Sequence, residues 1–345
     1  MYRPLPFLLL SVALLSACNP RGEQVSLGPT AKSALKTTEL AADSKLRLQT
    51  LASQTDLNNN ALFTTYAKRS TSQWNSGWTR RIDFSGVSWS HRQAGTAITP
   101  RHIVFASHYK FKIGTSITFH ERSGKVHSRK IEKIISFRDK EEARSDIAVA
   151  LLNQPLPPTI KVYRLLPPRE DYGHTLPGCP VIVTEQGRRA YVHQIRHAST
   201  RYLSFMKNPD LPEGLYKPLI KGDSGHPSFL LVGGEPVLIE THSSGGGGRG
   251  PFYSHPALFK ALQETVAQLD PSYQIKTVPL DPALAPAPPP EKKPTPPNQT
   301  PRKHSPSSPS KKPHSTPRQP RLPRVRRVPT PTPRANPQPS DKPEE

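Results

Sequence analysis

Three short stretches of this 345-residue chain carry side chains that could do chemistry together. The first is Lys221-Gly222-Asp223-Ser224-Gly225-His226-Pro227. A serine hydroxyl is a weak nucleophile at neutral pH and needs a neighbouring base, usually histidine, that a carboxylate orients. It also needs donors aimed at the developing oxyanion. The backbone N–H groups of Gly222 and Ser224 suit that task, and glycine at 222 permits close substrate approach. Taken alone, Gly-Asp-Ser-Gly reads equally well as a polar turn between two apolar runs.

The base and the acid lie upstream. The stretch from Ala94 to Phe111, AGTAITPRHIVFASHYKF, reads as an apolar strand, a proline-containing turn and a second apolar strand ending in Ser107-His108. The chain has 13 histidines, so a lone one means little. His108 stands out because a side chain emerging from a buried strand is held on rigid scaffold. Asp146 precedes Ile147-Ala148-Val149-Ala150-Leu151-Leu152, a run apolar on both faces. A carboxylate at the mouth of such a run is partly buried and needs a partner, for which a histidine N–H is suitable; a surface aspartate capping a turn is the plainer reading.

The elements that must position these groups are short strands. Runs rich in Val, Ile, Phe and Thr recur from about Trp78, with candidates at 83–90, 95–98, 103–106, 115–120, 130–137, 147–152, 181–184, 191–197, 228–232 and 237–241. Ser123-Gly124 closes a hairpin. Strands without intervening helices imply antiparallel barrels or sandwiches. One helix follows, with Pro256 in its first turn, Leu258, Leu262, Val266 and Leu269 on one face, and Asp270-Pro271 as its stop.

Composition confines the folded part. The chain has 42 prolines, a formal charge of +22 and 34 % hydrophobic residues, so one compact domain is expected between segments that do not fold. Residues 1–18 read as a secretory signal ending in Leu15-Ser16-Ala17-Cys18, which resembles the lipobox of bacterial lipoproteins. Cys18 would then carry lipid and tether the protein to a membrane of the cell envelope, facing the periplasm or the surface, without spanning it. Cys179 would be left unpaired, as a small buried residue. Residues 19–77 read as a polar spacer with one marginal helix inside 30–54. Residues 271–345 read as a disordered tail: positions 279–345 hold 22 prolines and 13 Lys or Arg against 5 Asp or Glu, with no aromatic residue. Its charge suits an anionic envelope polymer or lipid headgroups. Without stacking side chains it is not expected to bind nucleic acid.

The chain order His, Asp, Ser, each residue in its own strand context, resembles the chymotrypsin/trypsin-like serine protease family. ITPRHIVFASH is similar to that family's strand-turn-strand ending in Ala-Ala-His, SDIAVALL to its Asp-Ile-Ala-Leu-Leu, and GDSGHP to its Gly-Asp-Ser-Gly-Gly-Pro. The resemblance covers about residues 78–270. It implies two six-stranded antiparallel β barrels with the site between them, His108 as general base and acid, Asp146 as its orienter and Ser224 as nucleophile. It also implies the Gly222 and Ser224 amides as oxyanion hole, no cofactor, and a protein or peptide substrate. The nucleophile elbow of α/β hydrolases does not fit, because His226 stands where that motif needs glycine. A subtilisin-like order would put Asp before His. No HExxH or CxxC spacing suggests a metal site.

Departures from the family pattern set further expectations. His226 replaces a glycine and must find room beside the nucleophile loop, where it could disturb the oxyanion hole. Arg80-Arg81-Ile82 superficially resembles an activation cleavage point, but Ile82 lies too close to His108. Asp223 should therefore be held by hydrogen bonds or an internal Arg or Lys, with no processing needed. Pro218 falls near the place of the pocket-base acid in trypsin-like relatives, which argues against a preference for Lys or Arg. The substrate-lining strand is expected at Ile239–Gly245, with Ser243 and Gly245 on the pocket wall. His242 resembles the pocket histidine of bacterial glutamyl endopeptidases, although it is equally readable as structural. Gly245 to Gly250, GGGGRG, reads as a mobile loop beside the cleft. The competing reading is an inactive envelope lipoprotein whose β domain only binds peptides or wall polymer.

Overall fold

The computed structural model describes residues 35–36, 39–54, 59–138 and 144–281. The signal segment with Cys18 and most of the tail lie outside them. Among the described residues no helix is long and apolar enough to cross a membrane.

Strands that are apolar on both faces explain the architecture. In the first sheet β1 (Thr96–Ala97), β2 (His102–Ala106), β3 (Ser116–His120), β4 (Val126–Ser136) and β5 (Ile147–Leu152) take the order β1-β2-β5-β4-β3, antiparallel throughout. In the second, β6 (Pro180–Glu185), β7 (Arg189–Ala198), β8 (Tyr202–Met206), β9 (Pro227–Val232), β10 (Glu235–Thr241) and β11 (Arg249–Pro251) take the order β10-β9-β6-β7-β8-β11.

Successive side chains of a strand point to opposite faces. Ile103 and Phe105 of β2 enter a cluster inside the first sheet, with Ile117 and Phe119, whereas Val104 turns to a second cluster shared with Ile182, Phe229 and Trp89. Val181 and Val183 of β6 enter a third cluster, inside the second sheet, while Ile182 faces the shared one. Each central strand thus buries one face within its own sheet and the other between the sheets. That is why these antiparallel strands lack polar alternation.

Both sheets curl until their edges meet. Val87 bridges to Thr96 on β1, and four residues on the His91 ring donates to Ser116 O on β3, while Ser90 Oγ accepts from Thr118 N. In the second sheet Ser243 N, just past β10, donates to Arg249 O on β11 at 2.8 Å. The result is mostly β: two curled sheets and a C-terminal helix, the arrangement of a trypsin-like double barrel. The first sheet has five strands rather than six, because 83–90 is held in turns and pairs only at Val87.

The folded part is longer at both ends than 78–270. Helix α1 (Leu40–Gln54), in the expected spacer, buries Leu40 and Leu48. Two polar hooks fix it to the second sheet: Ser44 Oγ donates to Leu231 O at 3.0 Å, and Asp43 accepts from Gly233 N at 2.9 Å. Phe63 and Trp74 stack 4.3 Å apart, and the Trp74 indole donates to Glu121 O. Downstream, Val278 N donates to Leu165 O, and Leu280–Asp281 pairs in parallel with Leu35–Lys36. Helix α2 (Pro256–Leu269) buries Leu258, Leu262, Val266 and Leu269 on the expected face. Cys179 is wholly buried, and burial pushes its thiol pKa up to about 12, too high for a nucleophile at neutral pH.

Candidate active site

Strand register brings the first two residues together. β2 and β5 pair with Ala106 opposite Ile147, so the next residue of one strand faces the preceding residue of the other, and Ser107 N donates to Asp146 O at 3.1 Å. The chain then turns through a single 3-10 turn, Ser107–Tyr109, which swings the His108 ring over the Asp146 carboxylate. Asp146 Oδ1 accepts from the His108 backbone N–H at 2.9 Å, and Oδ2 accepts from ring Nδ1–H. One carboxylate therefore holds both the backbone and the ring. Since an ionised carboxylate only accepts, the ring proton sits on Nδ1 and Nε2 is left as an acceptor. Nε2 lies 2.9 Å from Ser224 Oγ, a distance at which the hydroxyl donates to it. Arg138 stands 3.4 Å from Asp146 Oδ1 on the outer side.

The serine comes from the second sheet, on a tight turn ahead of β9. Gly222 and Gly225 have φ of +105° and +87°, conformations costly for any residue with a Cβ. At Gly222 a Cβ would also meet the Gln186 amide at 2.6 Å. Asp223 is buried inside this turn and accepts from Ile220 N at 2.7 Å and Gln186 N at 3.2 Å. The expected support for Asp223 is thus backbone N–H groups rather than a cation. Among the described residues neither Gly222 N nor Ser224 N is taken up by another acceptor. Both amides remain available beside the hydroxyl.

His226, which departs from the family pattern, and His242, the expected pocket residue, both point inward. His226 is 1 % exposed, with its ring 6.0 Å from that of Trp89 and Nδ1 against Asp223 O. Desolvation, reinforced by the nearby His242, lowers its pKa to about 4, so at neutral pH it is an uncharged packing group beneath the nucleophile turn. It leaves the cleft clear. His242, also 1 % exposed, has Nε2 3.1 Å from Thr184 O and Nδ1 2.9 Å from the wholly buried Glu240. Its ring therefore faces the interior and not the open cleft.

Pro218 is exposed, and Ser243 and Gly245 follow β10 beside it. The expected mobile loop is packed instead. Leu219 and Gly246 exchange two backbone hydrogen bonds of 2.8 Å, and Gly247 lies so close to β8 that a Cβ there would sit 2.3 Å from Phe205 O. Glycine serves close approach here, not mobility. The buried His193 ties these walls to β7, with Nδ1 2.7 Å from Gly247 O and Nε2 2.9 Å from Lys217 O. Gln186, Arg138 and His193 had no local signal in the sequence, because their roles come from strand pairing across the second sheet and the approach of the first.

No protein-family model and no curated protein sequence matches this chain. Among solved structures, a mutant of human heparin binding protein is similar at 14 % identity and a TM-score of 0.40, over 54 % of this chain and 93 % of that one. A likeness at that level carries no argument about function. The fold rests on the strand order and the sheet closures, and the chemistry on the side chains above.

Proposed function

We propose that this protein is a serine endopeptidase that cleaves peptide bonds through an acyl-enzyme intermediate. One observation carries the reading: the His108 ring is held between Asp146 and Ser224, its tautomer set by the carboxylate so that Nε2 faces the hydroxyl. Ser224 Oγ attacks the scissile carbonyl while His108 Nε2 takes its proton. The negative charge that develops on the carbonyl oxygen faces the amides of Gly222 and Ser224. His108 then gives the proton to the leaving amine, the C–N bond breaks, and an ester to Ser224 remains. Water, deprotonated by the same nitrogen, hydrolyses the ester and restores the hydroxyl. Asp146 stays ionised throughout and stabilises the imidazolium that forms twice in each cycle.

The proposed setting is the cell envelope, with lipid on Cys18 as the anchor and the basic tail available to anionic polymer. Its support is the Leu15–Cys18 pattern and the tail composition. The test is digestion of an unfolded protein such as reduced casein, with new N-termini read by mass spectrometry. Wild type should generate them and Ser224→Ala should not. Equal rates from the two proteins would refute the assignment, and would leave the peptide- or polymer-binding lipoprotein as the better account.

A further inference from the structure

Beside the triad, on the side of Asp146, lies a cavity of about 430 Å³. Three arginines line it: Arg144 before β5, Arg201 in the turn before β8, and Arg249 on β11. They come from separate parts of the chain, so no charge run in the sequence announces them. Among the described residues none of the three guanidinium groups takes part in an ion pair or a hydrogen bond; the Arg201 backbone N–H alone donates to Ser199 Oγ. The one carboxylate on the wall, Asp146, is already engaged by the His108 ring, the His108 N–H and Arg138. Arg249 is also fixed in place, its guanidinium 3.7 Å from the centroid of the Tyr202 ring. A stacked guanidinium is pre-organised and presents its fork of N–H donors edge-on.

We infer that this cavity is a substrate subsite for an acidic side chain, Asp or Glu, on the cleaved peptide. Among the described residues, three positive charges surround one committed carboxylate, a field that a carboxylate of the ligand would neutralise. Guanidinium–carboxylate pairs are also geometrically specific as well as strong. The cavity adjoins Asp146, one imidazole ring away from Ser224. An extended peptide advances about 3.3–3.6 Å per residue, so the acidic side chain belongs within about four residues of the scissile bond. Selectivity for acidic substrates is thus placed in this arginine cluster, not at the buried His242. The inference rests on the endopeptidase reading for its substrate, but the cluster's affinity for acidic peptides can be measured without catalysis.

The experiment has a cleavage arm and a binding arm. A proteome-derived peptide mixture is digested with the full chain, and residues flanking each cut are counted. Asp and Glu should be enriched at one fixed offset from the cut, with kcat/KM about tenfold above Gln and Asn counterparts. Arg201→Gln/Arg249→Gln should lose that enrichment, whereas Arg196→Gln, which removes an exposed arginine outside the cavity, should keep it. Thermal melts check that the double variant folds, and Arg201→Gln alone serves if it does not. In the binding arm, immobilised Ser224→Ala should retain the acidic peptides and release them as salt rises. No enrichment in wild type, enrichment that survives the arginine substitutions, or retention of acidic polysaccharide but not acidic peptide would each overturn the inference. Absence of cleavage together with arginine-dependent peptide retention would overturn the catalytic reading and keep the site.

Discussion

Replacing Asp146 with Asn probes the one contact that gives the His108–Ser224 pair its direction. The Oδ1 atom accepts from the His108 backbone N–H at 2.9 Å, a bond that Asn preserves by keeping its carbonyl oxygen there. The amide NH2 must then face ring Nδ1. An NH2 group donates, so the ring flips tautomer, Nδ1 becomes the acceptor and Nε2 carries the proton. Nε2–H cannot accept a proton from Ser224. Restoring the working tautomer against that preference costs about 1–2 kcal/mol. The imidazolium formed during reaction also loses its counter-charge. His108 and Asp146 are 32 % and 22 % exposed, so an effective dielectric near 20 applies, and unit charges about 4 Å apart then interact by about 4 kcal/mol. Arg138 stays behind without its carboxylate and opposes the imidazolium further. The sum is about 5–6 kcal/mol in the barrier, or about 10⁴ in rate at roughly 1.4 kcal/mol per decade. The assay is kcat/KM for a peptide substrate, with a thermal melt confirming that the variant folds. A loss below tenfold in a folded variant would refute the claim that Asp146 sets the tautomer.

Three further outcomes follow from the packing. His102, His120, His193 and His226 are buried, and desolvation lowers each pKa from 6.5 to about 4. The unfolded chain therefore binds more protons between pH 6.5 and 4, so stability should be flat above pH 7 and fall by up to about 3 kcal/mol per histidine as pH drops through that window, with the melting temperature falling alongside; a melt independent of pH from 7 to 4 would contradict it. At Gly250 a Cβ would lie 1.8 Å from Glu240 Oε2 and 2.2 Å from Thr241 O, so Gly250→Ala should cost about 3 kcal/mol or more in urea unfolding; Gly233→Ala, where a Cβ meets nothing within 4 Å and only the φ of +58° opposes it, should cost about 1 kcal/mol. Leu40→Ala should cost about 3 kcal/mol because helix α1 is part of the fold, whereas a free spacer would show no change.

Much of the site was legible because its residues stand next to strongly patterned strands. His108 follows β2, Asp146 precedes β5, and the register of those two strands needs only the apolar runs to be found. The nucleophile turn is equally local, since Gly222, Asp223 and Gly225 sit in one heptapeptide. Features made by distant segments were not legible. Helix α1 has leucines in no clean stripe and is held by Ser44 and Asp43 reaching a carbonyl and an amide 187 and 190 residues away. The glycines from 245 onward suggested mobility because close backbone approach to Leu219 and Phe205 leaves no mark on neighbouring residues. His242 matched a pocket residue by position, but its rotamer points to Glu240 and Thr184 in the interior.

The most direct test of the central claim is labelling of the native protein with a fluorophosphonate, followed by peptide mapping of the adduct. The triad geometry predicts one adduct, on Ser224 Oγ, formed by the folded protein, lost after denaturation in urea and absent from Ser224→Ala. An unlabelled native protein, or labelling that persists in Ser224→Ala, would contradict it.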